Sequence, residues 1–275
     1  FVQLVMAMLA MGTTLHVRDF WAVVRLPRSF LTGLGTQVVL VPVIAFAVLR
    51  AADLDPGVAV GLAVLASVPG GTVSNIFTYA GRGDVPLSIA LTAVTTLACI
   101  VTVPVVLDVL IGPFVPPGFS LPRGRIAAEI VATLLVPLGV GMVILRHRPT
   151  AAAVVSTWSL RATAVLIGVI VAGSAASGRL DPVAMGLPNL GIVVGAAVLM
   201  GAVGVIVPVI VRRPRPDVTA IAIEVTVRNT NLGLLIRATL FSGARADHPL
   251  ADLALFTILA YAGASFAVIT PLILR

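Results

Sequence analysis

The sequence predicts an all-α protein that crosses a membrane many times, and three observations predict it. Of 275 residues, 59% are hydrophobic and 11% charged, with a mean hydropathy of +1.13; an ordinary soluble domain carries about 25% charged residues. The apolar residues form continuous runs, whereas a membrane β-barrel would alternate in segments of about ten residues. Two runs are broken by polar and helix-breaking residues: Pro69-Gly70-Gly71-Thr72-Val73-Ser74-Asn75, and Glu224-Val225-Thr226-Val227-Arg228-Asn229-Thr230-Asn231. Interrupted apolar segments in corresponding halves of a chain point to a transport site near mid-membrane.

Windows of about 20 apolar residues place nine spans, at 1–14, 29–49, 57–80, 86–111, 127–146, 155–176, 189–211, 218–241 and 252–274. The order repeats itself. Asp19, Leu26 and Pro27 lead into 29–49, as Asp181, Leu187 and Pro188 lead into 189–211. A broken segment follows in each half, and each half closes on a helix with a Thr/Pro cluster, Thr102-Val103-Pro104 and Thr270-Pro271. This predicts two repeats, 1–111 and 127–275. Five helices per half would invert the second against the first, and that count expects one more helix before Phe1.

All 18 basic residues are arginines, and the net charge is +7. They lie scattered in the connections and form no basic stripe, which excludes a nucleic-acid surface. With residue 1 outside, the inner connections hold Arg18, Arg25, Arg28, Arg82, Arg146, Arg148, Arg212, Arg213, Arg215 and Arg275; the outer ones hold Arg50, Arg123, Arg125, Arg179 and Arg245. This excess predicts a cytoplasmic C-terminus in the cell's inner (plasma) membrane. Trp21 and Trp158 read as interfacial anchors. The single Cys99 excludes an internal disulfide. His16, His147 and His248 share no ligand spacing, so no transition-metal centre is expected. Phosphate-loop, nucleophile-elbow and dinucleotide motifs are absent, as are the paired catalytic sets of intramembrane proteases within a span, so an enzyme is not expected.

The broken segments carry the chemistry. Pro69 lacks a backbone donor and clashes with the preceding turn, so 57–80 should stop near Val68 and restart near Thr72. A restarting helix offers free N–H groups and the stopped half offers free carbonyls, suited to an anion and a cation respectively. Thr72, Ser74 and Asn75 are candidates to cap the new helix or hold an ion. Glu224 is the only acid deep in a span. A buried carboxylate needs a partner, which could be a sodium ion or Arg228, one helical turn away. Thr226, Asn229, Thr230 and Asn231 compete with the backbone for hydrogen bonds and favour an unwound stretch. Ser88, Thr92 and Thr95 share a helix face, with Thr96 beside them, and could supply further oxygen ligands. Gln37 should point into protein. Gly191 and Gly195 have small-xxx-small spacing and are expected to pack helices.

These residues resemble the bile acid:sodium symporter family over nearly the whole chain. The likeness rests on Met11-Gly12-Thr13-Thr14-Leu15, on Gln37 with Pro42, on Pro69-Gly70-Gly71-Thr72-Val73-Ser74-Asn75, on Gly83-Asp84-Val85-Pro86-Leu87-Ser88 with Thr92 and Thr95-Thr96-Leu97, and on Glu224-Val225 with Asn229. The resemblance implies two inverted five-helix repeats, with a core domain (29–111 and 189–275) moving against a panel domain (1–28 and 127–188), and two broken helices crossing in the core. It also implies two sodium sites. One is expected at Ser74, Asn75, Ser88, Thr92 and Glu224. The other is expected at Gln37, Glu224, Val225, Val227 and position 228. This chain departs from the family there, with Arg228 where glutamine is usual and Thr226 where glycine is usual. A guanidinium cannot ligate sodium, so Arg228 is expected to replace the second ion as a tethered cation beside Glu224. The expected activity is sodium-driven symport of a small organic anion, with one Na+ rather than two and with Thr72, Asn229 and Arg228 facing the substrate. Sodium-independent exchange or proton coupling on the same fold is the alternative.

Overall fold

The computed structural model describes residues 1–17, 19, 27–115, 119–242 and 249–274. Besides a single helical turn at Pro182–Met185, eleven longer helices organise them: α1 (Val2–Gly12), α2 (Pro27–Ala51), α3 (Pro56–Ser67), α4 (Thr72–Ala80), α5 (Val85–Phe114), α6 (Arg123–His147), α7 (Pro149–Ala176), α8 (Leu187–Ile210), α9 (Arg215–Thr226), α10 (Thr230–Leu240) and α11 (Pro249–Ile273). Among the described residues no strand forms, and the isolated antiparallel bridge between Gly70 and Arg228 is the only pairing of that kind.

Six of these helices, α2, α5, α6, α7, α8 and α11, are long and apolar enough to cross a membrane, which makes the chain an integral, multi-pass membrane protein. The other sequence windows resolve differently. Segment 1–14 holds an 11-residue helix. Segments 57–80 and 218–241 each divide into two helices of 9 to 12 residues. None of these five alone has the roughly 20 residues that a bilayer core requires. Arg18, Trp21, Arg25, Arg245, His248 and Arg275 lie outside the described residues.

Local chemistry sets the helix boundaries. Asp55 accepts from Gly57 N at 2.9 Å ahead of Pro56, starting α3, and Asp84 accepts from Leu87 N at 2.9 Å ahead of Pro86, starting α5. Acceptors at N-caps and prolines in the first turn answer the orphan donors there. The residue before a proline is pushed out of helical geometry, and Val68 before Pro69 is extended, with φ −85° and ψ 148°. The first break therefore falls where the sequence places it. No side chain caps α4, however: Gly71 is the N-cap, and the Thr72 hydroxyl is buried without a hydrogen-bond partner. The second break, at Val227 and Asn229, has neither proline nor glycine. Thr226 Oγ1 turns back to Ala222 O at 2.6 Å, and Asn229 Oδ1 caps α10 by accepting from Leu232 N at 3.1 Å.

Packing joins α1 to α6 and α7. A second group forms around α3 and α11, with α8 and α9 against each other and α5 against α3. In the first group Gly12 and Gly141 face each other so closely that a Cβ on Gly141 would stand 2.6 Å from the Leu9 carbonyl, the small-residue contact by which membrane helices associate. Gly191 and Gly195, expected to do the same on α8, have nothing within 4 Å; Gly201 and Gly204, two to three turns further on, make the close approach, Gly204 to Ala222. Apolar residues also cover the outside. Val101, Val105 and Val109 form an exposed stripe on α5, while Ser88, Thr92 and Thr95 on the same helix are buried.

Candidate functional site

The two breaks meet. Asn229 N donates to Pro69 O at 2.7 Å, and Gly70 pairs with Arg228 in the antiparallel bridge. This contact brings α4 and α9 against α5. Glu224, on the last turn of α9, is wholly buried. Its Oε1 accepts from Ser74 Oγ at 2.5 Å, Ser88 Oγ at 2.6 Å and Thr92 Oγ1 at 2.8 Å. Asn75 Oδ1 lies 2.8 Å from Ser88 Oγ and 3.5 Å from Thr92 Oγ1. The structure thus brings Ser74, Asn75, Ser88, Thr92 and Glu224 together from three helices.

The proton count of this cluster is informative. Each hydroxyl has a single proton to donate. Ser74 Oγ nevertheless has two acceptors in reach, Glu224 Oε1 and Gly71 O. Ser88 Oγ has Glu224 and Asn75, and Thr92 Oγ1 has Glu224, Asn75 and Ser88 O. The acceptor oxygens within reach of the three hydroxyls outnumber their protons, and one belongs to a buried carboxylate. A hard cation with oxygen ligands resolves that excess. The other carboxylate oxygen, Oε2, is buried with no partner, beside Gly70, where a Cβ would collide with it.

The other hydroxyls of α5 separate from this cluster. Thr95 Oγ1 donates back to Leu91 O at 2.6 Å, and Thr96 Oγ1 is buried without a partner. Gln37 lies buried in the wider helical turn of α2 at Thr36–Leu40; its Oε1 accepts from Gly70 N at 3.1 Å, and its Nε2 has no partner. Gln37 and Glu224 Oε2 thus converge on Gly70.

Arg228 does not form the hydrogen-bonded pair with Glu224 that one helical turn between them would allow. Such a pair needs a helix running through both residues, because i,i+4 neighbours share a face only on a continuous helix. The helix ends at Thr226. The guanidinium, 5% exposed, instead turns to the end of α3: Nε donates to Leu65 O at 3.1 Å, Nη2 to Ala66 O at 3.4 Å and to Val68 O, and Nη1 to Val225 O at 3.4 Å. These are orphan last-turn carbonyls, where a positive charge also complements the helix dipole. Thr226 O is taken by Tyr261 Oη at 3.1 Å. Of the second expected ligand set, the Val225 carbonyl is therefore already occupied by a fixed cation, and Val227 lies at the break itself.

Beside the breaks lies a cavity of about 400 Å³ whose lining includes Thr72, Arg228, Asn229, Thr230 and Asn231 on one side and Leu160 and Thr163 of α7 on the other. Thr72 Oγ1 and Asn229 Nδ2 are buried without partners. Sequence reasoning missed two polar contacts around it: Gln3 Nε2 donates to Asn231 Oδ1 across the groups, and Tyr261 ties down Thr226; Thr163 Oγ1, 3.5 Å from Gln3 O, donates to Ser159 O on its own helix at 2.8 Å. A polar Gln3 within an otherwise apolar run was the only visible signal.

Comparison with known proteins agrees with this architecture. The Sodium Bile acid symporter family matches residues 1–177, which hold Ser74, Asn75, Ser88 and Thr92. The chain is 29% identical over 236 residues to an uncharacterized sodium-dependent transporter of Bacillus subtilis, covering 86% of this chain and 72% of that protein. It is 31% identical over 170 residues to the ileal sodium/bile acid cotransporter of Oryctolagus cuniculus, covering 62% of this chain and 49% of that one. It is 38% identical over 103 residues to a probable chloroplastic sodium/metabolite cotransporter of Arabidopsis thaliana, covering 38% and 26%. The chain thus spans half or less of the two eukaryotic relatives, and all three carry transporter rather than enzyme names. With its matched segment and its six apolar membrane-length helices, the chain belongs to the sodium bile acid symporter family.

Proposed function

We propose that the chain is a secondary active transporter that couples the movement of a small organic anion to sodium by alternating access. The observation that carries this reading is the Glu224 cluster, in which a buried carboxylate meets side-chain oxygens of Ser74, Asn75, Ser88 and Thr92 from three helices. A sodium ion there would bridge α4, α5 and α9 and so lock both breaks together. The second ion is replaced by Arg228, whose guanidinium fills carbonyls at the ends of α3 and α9, giving one Na+ per cycle.

The unpartnered Thr72 hydroxyl and Asn229 amide, with the charge of Arg228 behind them, face the anion in the 400 Å³ cavity. The packing of α1, α6 and α7 as one group and of the remaining helices around α3 and α11 as another supports a panel (1–28 and 127–188) moving against a core (29–111 and 189–275) built from inverted repeats. The arginine distribution supports a plasma-membrane protein with its C-terminus in the cytoplasm. Sodium drives the movement only through its differential affinity for the two states.

The test is thermal stability of the purified protein in sodium against choline chloride, repeated with taurocholate, pantoate and pyruvate. An ion at 100 times its Kd stabilises by about 2.7 kcal/mol, so sodium should raise the midpoint and a bound anion should raise it further only with sodium present. An equal midpoint in the two salts refutes sodium coupling. Vesicle uptake that persists in choline and collapses with a protonophore would identify proton coupling instead.

A further inference from the structure

Neither proline nor glycine stands in the second break, so its backbone alone does not stop α9 from running on into α10. In a continuous helix Val225 O would accept from Asn229 N, and Thr226 O from Thr230 N. Each of these four groups takes another partner instead. Asn229 N donates to Pro69 O at 2.7 Å and Thr230 N to Arg228 O at 2.8 Å. Val225 O accepts from Arg228 Nη1 at 3.4 Å and Thr226 O from Tyr261 Oη at 3.1 Å. Three of these substitute partners belong to the broken segments themselves. Tyr261 alone comes from another helix, α11.

Tyr261 is 3% exposed. With Arg228 it lines a cavity against α2, α3 and α8 whose other described lining residues are all apolar. A buried hydroxyl takes the partner that lies in reach, and Thr226 O is that acceptor. The ring is fixed in place by α11, which packs along α3 and α8.

The bond bears on Glu224 through what it prevents. A helix running through the break would set Arg228 one turn from Glu224 on the same face. A guanidinium pairs with a carboxylate through two N–H donors, and such a pair would compete for the carboxylate that now meets Ser74, Ser88 and Thr92.

We propose that Tyr261 is a positioning residue for the cation site. Its hydroxyl caps the end of α9 from outside and keeps the helix from closing across the break. Arg228 is thereby held at the end of α3, and the Glu224 carboxylate is left to sodium. The inference rests on the proposed sodium coupling for the identity of the ion; the capped break does not depend on it.

The test uses the full chain with Tyr261→Phe, which removes only the hydroxyl. Isothermal titration with sodium chloride should give an affinity about fivefold weaker than the parent, the equivalent of about 1 kcal/mol for one lost hydrogen bond. Thr230→Pro deletes the N–H that a continuous helix needs, at the first position of α10, where proline fits. Added to Tyr261→Phe, it should return the affinity to the parent value. In an Arg228→Gln background, Tyr261→Phe should cost no further affinity. An unchanged affinity in Tyr261→Phe, or a loss that persists with Thr230→Pro or with Arg228→Gln, overturns the proposal. Hydrogen exchange over residues 225–231 in choline chloride needs no ion. Tyr261→Phe should slow it several-fold as the helix closes, and exchange that is unchanged or faster overturns the proposal as well. A parent chain that binds no sodium refutes the coupling, and the exchange rates then decide the role of Tyr261 by themselves.

Discussion

The two helix breaks that meet at the site are made differently. The first, Val68 to Gly71, is written into the backbone: Pro69 forces Val68 out of the helix, and Gly70, lacking a Cβ, leaves room for Glu224 Oε2. The second, Val227 to Asn229, has ordinary backbone chemistry and is held open by side chains that find partners elsewhere, Arg228 at the end of α3 and Asn229 over the start of α10. One break supplies main-chain groups; the other supplies the side chains that satisfy them. A break encoded locally tolerates the loss of one residue, whereas a break held by long-range contacts depends on each.

Four measurements sharpen or break that contrast. The largest effect is expected at Glu224, where the two breaks share one charge. Supporting residues around an ion typically cost 10–100-fold when removed, so Glu224→Gln, which removes the charged ligand itself, should weaken sodium binding more than about 100-fold; a sodium-induced thermal shift that persists in this variant would remove the cluster from the mechanism. Arg228→Gln comes next. It strips the guanidinium from buried carbonyls whose desolvation costs about 1–3 kcal/mol each, so stability in choline should fall by about 3 kcal/mol, and sodium should restore it with a steeper concentration dependence as a second ion enters. Sodium stoichiometry unchanged from the parent chain would defeat the tethered-cation reading.

Smaller effects follow at the hydroxyls and the caps. Ser88→Ala and Thr92→Ala each remove one oxygen from the cluster and should lower sodium affinity by about tenfold, corresponding to about 1.5 kcal/mol for a bond to a charged group, as isothermal titration would show. Thr95→Ala, one turn along, should leave affinity unchanged because Thr95 bonds back to its own helix. Finally, Asn229→Ala should cost about 1 kcal/mol of thermal stability through the lost cap, and Pro69→Ala less than that, since Gly70, Gly71 and the bridge to Arg228 keep the first break open. The reverse order would show that the first break hangs on its proline alone and does not tolerate the loss of one residue.

How legible the site was in the sequence follows the same divide. The break between α3 and α4 could be read to within a residue because proline and glycine act on their immediate neighbours. The second break was visible only as a cluster of poor helix formers, without its boundary. Ser88 and Thr92 were legible as a shared face with Thr95, yet rotation along α5 sends the third hydroxyl back to its own helix. The family likeness named five oxygen-bearing residues that the fold brings together, but could not give their bond pattern.

By itself, the sequence determined that the chain is helical and built for lipid, where it is interrupted and that Glu224 is buried, since composition and backbone chemistry act over a few residues; it did not show that Asp217 is buried too, against Ser29. The tertiary structure alone decided where Arg228 points, that Gln37 meets Gly70, and that Gln3 reaches Asn231. Those contacts join residues far apart in the chain, and burial forces each polar group to take the partner that folding brings within reach.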